Sequence, residues 1–142
     1  MYKDDEKTQI EKYFENIETL YYNIESNGYK SQRDLLSMAP ERIRDSSKDN
    51  IHPALNEVGI CIYRDGTLAK RSSGNHRLSI AKILNIDKIP VVVRVRHSEW
   101  QSIRDKIRQA ESIDELDNHY KMYLDHPDLT DIIDAKNGQD WR

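Results

Sequence analysis

The sequence predicts an α+β domain: a small mixed sheet with a hairpin, packed by N-terminal, central and C-terminal helices. Three observations carry this. Apolar residues recur at three- and four-residue spacing from Ile10 to Ile24, an Asp-Gly turn joins two short β-like runs, and a Val-rich run follows an intervening helical segment. Helical and strand periods therefore alternate within 142 residues, a length suited to one domain over 1–134 with a polar tail at 135–142.

Taken in order, Ile10, Tyr13, Phe14, Ile17, Leu20, Tyr21 and Ile24 form one stripe on an amphipathic helix over about residues 6–26. The two tyrosines read as core packing within that stripe, and Asn27-Gly28 ends the helix with a left-handed cap. Ser31 and Asp34 have capping-box spacing and open a short helix through Leu35, Leu36 and Met38, which stops before Pro40. Residues 41–53 have no apolar period and read as a surface loop. Val58, Ile60 and Ile62 share one face of a strand, Arg64-Asp65-Gly66-Thr67 is a hairpin turn, and 67–70 pairs back.

The chain then reaches Ser73-Gly74-Asn75-His76-Arg77, a polar turn running into a helix through Leu78, Ile80, Ala81, Ile83 and Leu84, with Asn85 as its left-handed cap. Residues 89–95 make the strongest strand, with Pro90 at its start, Val91, Val93 and Val95 on one face and Val92, Arg94 and Arg96 on the other. Ser98 with Gln101, and Ser112 with Glu115, have capping-box spacing. The first box opens a helix with Trp100, Ile103 and Ile107 inward, the second a helix through Leu116, Tyr120 and Tyr123 that Pro127 breaks.

Charge is distributed unevenly around a net of −3. Residues 1–27 carry three lysines against seven acids (−4), 28–108 carry sixteen Lys and Arg against nine acids (+7), and 109–142 carry three against nine (−6). A basic centre between acidic ends suits a phosphate ligand. No apolar run approaches the ~18–20 residues of a membrane span, which predicts no membrane partner. The single Cys61 predicts a reducing, cytoplasmic setting. His52, His119 and His126 lack metal-ligand spacing, so no protein metal site is expected.

The turn at Gly74 is the candidate site. A helix start leaves N–H groups without intrahelical partners and carries partial positive charge, so it attracts anions. Gly74 would let the backbone approach a phosphate, and Arg77 would clamp it; His76 would donate to it or move a proton. Ser73 would cap the helix or touch the ligand. Arg96 and His97 end the Val-rich strand, where ligands gather in such sheets. Glu25, at the end of the first helix, is the candidate general base, with His76, if the protein is an enzyme.

The run Asp65-Gly66, Gly74-Asn75-His76-Arg77-Leu78-Ser79-Ile80-Ala81 and Ile89-Pro90-Val91 resembles the ParB/sulfiredoxin-like superfamily, in which a hairpin strand leads to a Gly-x-x-Arg turn, a helix and an Ile-Pro-Val strand. Residues 20–32 are similar to that family's first box, which ends in a Gly-x-x-Gln pattern. The resemblance implies a nucleotide, ATP, ADP or CTP; any metal used would be Mg²⁺ on its phosphates, which needs few protein ligands. The N–H groups of Asn75 and His76 would cradle phosphate, Arg77 would neutralise it, and Lys30 and Gln32 would face the turn. Asn75 stands where a sulfiredoxin has its cysteine, which excludes that reaction. The functions left open are a nucleotide-binding phosphotransferase or hydrolase, a nucleic-acid-binding protein or nuclease, and a non-catalytic adaptor.

Overall fold

The computed structural model describes residues 2–38, 56–71 and 73–138. The expected loop at 41–53 lies outside them. The fold is α+β with a three-stranded mixed sheet. Its elements are α1 (Tyr2–Asn27), α2 (Gln32–Met38), β1 (Val58–Ile62), β2 (Leu68–Lys70), α3 (Asn75–Ile83), β3 (Val91–Arg96), α4 (Ser98–Gln109), α5 (Asn118–Lys121), a 3₁₀ turn (Pro127–Leu129) and α6 (Thr130–Lys136). The strand order is β2-β1-β3, with β1 and β2 antiparallel and Cys61 opposite Ala69. Backbone contacts divide the chain into two compact units, one of Met1–Gly59 with Arg71–Val92, the other of Ile60–Lys70 with Val93–Arg142.

In the first unit the local signals act as their chemistry requires. Gly28 takes φ +75° after α1. Ser31 and Asp34 form a reciprocal box: Asp34 N–H donates to Ser31 Oγ (3.1 Å), and Ser31 N–H donates to Asp34 Oδ2 (3.2 Å). Asn85 takes φ +51° beyond α3, and Ile86 N–H closes onto the Ala81 carbonyl. Ile24, Val58, Ile80 and Ala81 are buried.

The stripe on α1 departs from expectation. Its C-terminal part packs, with Ile24 6% exposed, but Ile10, Tyr13 and Phe14 are 57%, 50% and 62% exposed. The reason is length. At ~1.5 Å per residue, 26 residues of α1 span about 39 Å, whereas the nine of α3, which packs on it, span about 14 Å.

The second unit is built around Trp100, which is fully buried. Its indole N–H donates to Asp128 Oδ2 (2.9 Å), and its ring meets His126 at 4.4 Å and the edge of Tyr123 at 5.4 Å. The hairpin glycine fits beneath it: Gly66 has φ +86°, and a Cβ there would lie 2.8 Å from the indole. Asp128 also accepts both Nε and Nη2 of Arg96 (2.8 and 2.7 Å). Arg104, buried on α4 between Trp100 and Ile107, bonds the Asp128 carbonyl and the Asp131 carboxylate. His126 Nδ1 accepts the Asp128 N–H (3.1 Å), so its other nitrogen carries the proton and donates to the Gly66 carbonyl (2.8 Å).

Both downstream capping boxes resolve differently from the pattern. Helix α4 starts at Ser98 and is capped by His97, whose Nδ1 accepts the Glu99 N–H (3.2 Å); Gln101 reaches forward to Asp105 instead of back. The imidazole supplies the capping acceptor one residue before the serine. No helix begins at Ser112: Leu116 N–H bonds the Ile113 carbonyl in a turn, and extended Asp117 precedes the four-residue α5. The Asp114–Asn118 stretch is rich in side chains that favour turns over helix interiors. The polar stretch from 135 is helical through Lys136.

Burial pushes the Asp128 carboxyl up, but the hydrogen bonds from Arg96 and Trp100, with the charges of Arg96 and Arg104, outweigh it and hold the group below the usual carboxylate value. Below the unfolded-state value of ~3.9 the unfolded chain binds the proton first, so this stabilisation is present above that pH and is lost as pH falls through the lower folded value. Melting temperature is expected to fall steeply below about pH 4. Asp128→Asn should melt lower at pH 7 and fall less steeply in acid.

Candidate functional site

The site lies in the first unit, where Gly74 turns the chain into α3. Gly74 has φ +86°, and a Cβ on it would lie 2.9 Å from the Val58 Cα. Its missing side chain thus seats the turn against β1. Strand pairing continues into the turn: Arg71 N–H donates to the Gly59 carbonyl, and Gly59 N–H donates to the Ser73 carbonyl. Ser73 does not cap the helix; its hydroxyl donates to the Glu57 carbonyl (3.1 Å). The start of α3 therefore has no side-chain cap, and no acid stands in its first turn. The first helical bond runs from Leu78 N–H to the Gly74 carbonyl. The N–H groups of Asn75, His76 and Arg77 precede it at the positive end of the dipole.

Arg77 is turned inward. Its guanidinium stacks on the Tyr29 ring at 4.3 Å, donates from Nη2 to the Lys30 carbonyl, and places Nη1 3.9 Å from Glu57 Oε2. The two side chains are 11% and 6% exposed. Glu57 is the centre of this cluster. Its Oε1 accepts the Gln32 N–H (2.5 Å), which caps the start of α2, and its carbonyl takes Ser73. Among the described residues, Glu57 Oε2, Tyr29 Oη and Arg77 Nε and Nη1 lack a hydrogen-bond partner. Burial, and then the Glu57 charge, raise the Tyr29 hydroxyl above its usual value against the opposing pull of Arg77, so the phenol stays protonated.

His76 points along α3 towards α1, with Nε2 2.9 Å from Tyr13 Oη and the two rings edge to face. It stands at the mouth of an open groove of about 500 Å³ between these helices, walled by Phe14, Tyr21 and Tyr22 of α1 and by Ile80 and Ile83 of α3. Glu18 and Ser79 supply its other polar groups.

The structure thus gathers Lys30, Gln32, Ser73, Gly74, Asn75, His76 and Arg77 around one helix start. Lys30 contributes its carbonyl to Arg77 and sends Nζ to Met38 Sδ (3.7 Å), and Gln32 contributes its N–H to Glu57. Glu25 is exposed on α1 and accepts the Tyr21 hydroxyl (3.1 Å). Arg96 and His97 lie in the second unit, where Arg96 pairs with Asp128 and His97 caps α4. Sequence reasoning missed Glu57, Tyr29, Tyr13 and Glu18. The partners of Glu57, Tyr29 and Tyr13 across this site lie sixteen to sixty-three positions away, and the one local sign was an isolated acid before a strand in a basic segment. Among the described residues no group of three His, Cys, Asp or Glu side chains is placed to hold a metal ion, and no helix is long and apolar enough to cross a membrane.

Removing one partner of a buried ion pair leaves the other charge uncompensated, a loss of ~3–5 kcal/mol, whereas replacing both with apolar groups of similar volume is close to neutral. In urea unfolding, Arg77→Ala is expected to be destabilised by about that amount, ~3–5 kcal/mol. The double variant Arg77→Met with Glu57→Leu should recover most of it, less the Gln32 and Lys30 contacts.

No protein-family model, curated protein or solved structure matches the chain.

Proposed function

We propose that this is a ParB-like nucleotide-binding protein, with the phosphates of ATP, ADP or CTP at the start of α3 and the base in the groove between α3 and α1. The observation that carries the reading is the uncapped, acid-free start of α3 opening beside an aromatic groove that shares His76 with it. Backbone N–H groups of Asn75 and His76 offer donors to phosphate oxygens, and the His76 ring stands between helix start and groove. A groove of about 500 Å³ is within the size range of small-ligand sites. Tyrosine and phenylalanine faces suit a planar base.

In this reading Arg77 is a positioning residue. Held by Glu57, Tyr29 and the Lys30 carbonyl, it fixes the first turn of α3 and adds positive charge behind it. Mg²⁺ would ride on the phosphates and needs few protein ligands. In a phosphotransferase or hydrolase reaction, His76 would be the acid–base group at the phosphate. The single Cys61 fits a reducing cytoplasm.

The test is a thermal-shift panel of ATP, ADP, CTP, GTP and NAD with and without Mg²⁺. A nucleotide at ~100 times its dissociation constant adds about 2.7 kcal/mol, a rise of several degrees. Tyr22→Ala should weaken the nucleotide shift while sparing that of inorganic pyrophosphate, and His76→Ala should weaken both. No shift with any nucleotide, or shifts unchanged in both variants, overturns the reading. Raising salt from 50 to 200 mM should reduce nucleotide binding only modestly. A loss of ~10³-fold or more on single- or double-stranded DNA would point instead to backbone binding by several cations.

A further inference from the structure

The N-terminal half of α1 keeps a largely exposed apolar face, touching its own unit only through Tyr13 at His76 and Phe14 at the groove, and its pattern is more ordered than a solvent face requires. Ile10, Tyr13 and Phe14 are each at least half exposed and lie with Ile17 within about 100° of the helix surface. Gln9 and Asn16 border them, and Glu11, Lys12 and Glu15 stand behind. The seam thus carries no charge although a third of the chain is charged. Positions a, d, e and g of a heptad begun at Ile10 are uncharged through Ile24.

We infer that this face pairs with the same face of a second copy of the chain, the two α1 helices running antiparallel about a point between Tyr13 and Phe14. That register puts Ile10 of one copy opposite Ile17 of the other, Tyr13 opposite Phe14, and Lys7 beside Glu18. The direction follows from charge. Between Lys7 and Lys12 there are two lysines and one acid, while Glu15 and Glu18 follow without a lysine. Antiparallel copies therefore bring unlike charges together, and parallel copies set Glu18 against Glu18.

The area fits a reversible dimer. Three half-exposed large side chains present on the order of 400 Å² per copy, already the size of a functional patch. With Gln9, Asn16 and the Lys7 stem, two copies approach ~1,000–1,200 Å², the low end of specific interfaces. The inference does not depend on a nucleotide. Phe14, Ile17 and Glu18 belong to both the seam and the groove lining, but Ile10 lies outside the groove and Tyr22 outside the seam, so Ile10→Glu and Tyr22→Ala test the two readings separately.

Sedimentation equilibrium of the full chain from about 1 to 300 μM, the range in which a low-area interface associates, tests it. The wild type is expected to move from the mass of one chain towards two, Ile10→Glu to weaken association at least tenfold, and Glu15→Gln, on the opposite face, to leave it unchanged. In a Cys61→Ser background, Phe14→Cys should cross-link two copies on oxidation, whereas Ile10→Cys, well separated from its counterpart, should not. A wild type that stays at one-chain mass throughout overturns the inference, as does association indifferent to Ile10→Glu. Cross-linking at both positions overturns the antiparallel arrangement. Far-UV circular dichroism unchanged in Ile10→Glu excludes unfolding as the cause of lost association.

Discussion

A single buried carboxylate ties the first unit together. Glu57 stands just before β1 and is 4% exposed, so its charge must be compensated within the fold. It bonds the N–H that opens α2, faces the guanidinium on the first turn of α3, and lends its carbonyl to the serine before that turn. Two segments distant in sequence, the start of α2 and the turn into α3, are thereby fixed to the end of one strand. Gly74 makes the approach feasible, because any side chain there would meet the backbone of Val58.

This constraint decides how the helix start can act. Drawing Arg77 inward removes its guanidinium from the surface but locks the turn from behind, so the groups left facing outward are backbone N–H donors and His76. An anion site of this kind needs little reorganisation, because its donors belong to a helix whose first turn is already pinned. The tyrosine under the guanidinium acts in the same sense: desolvated and neutral, it packs the cation without competing for Glu57.

The second unit solves the same problem with Asp128, which collects two arginines and an indole at the foot of Trp100. Here too, cations that a surface reading would offer to a ligand are paired with an acid of the fold. Arg96 is the clearest case, its fork matched to both carboxylate oxygens. A basic segment flanked by acidic ones is therefore partly an internal ledger of charge: Asp128 and Asp131, from the acidic end, pair with arginines of the basic middle.

Local chemistry is what the sequence by itself determined. The Asp65-Gly66 hairpin, the Ser31–Asp34 box, the left-handed Asn85, helices α1 to α4 and the strand after Pro90 rest on interactions within a few residues, and each is where its pattern puts it. The helix start at Gly74 was legible for the same reason. Only the tertiary structure decided which side chains serve it. That Arg96 turns to Asp128, that α1 outruns its cover, and that Arg77 turns to Glu57 depend on distances between elements rather than on spacing along the chain. A cation's partner is chosen by whatever buried acid lies within reach, and the nineteen residues between Glu57 and Arg77 give no sign of it.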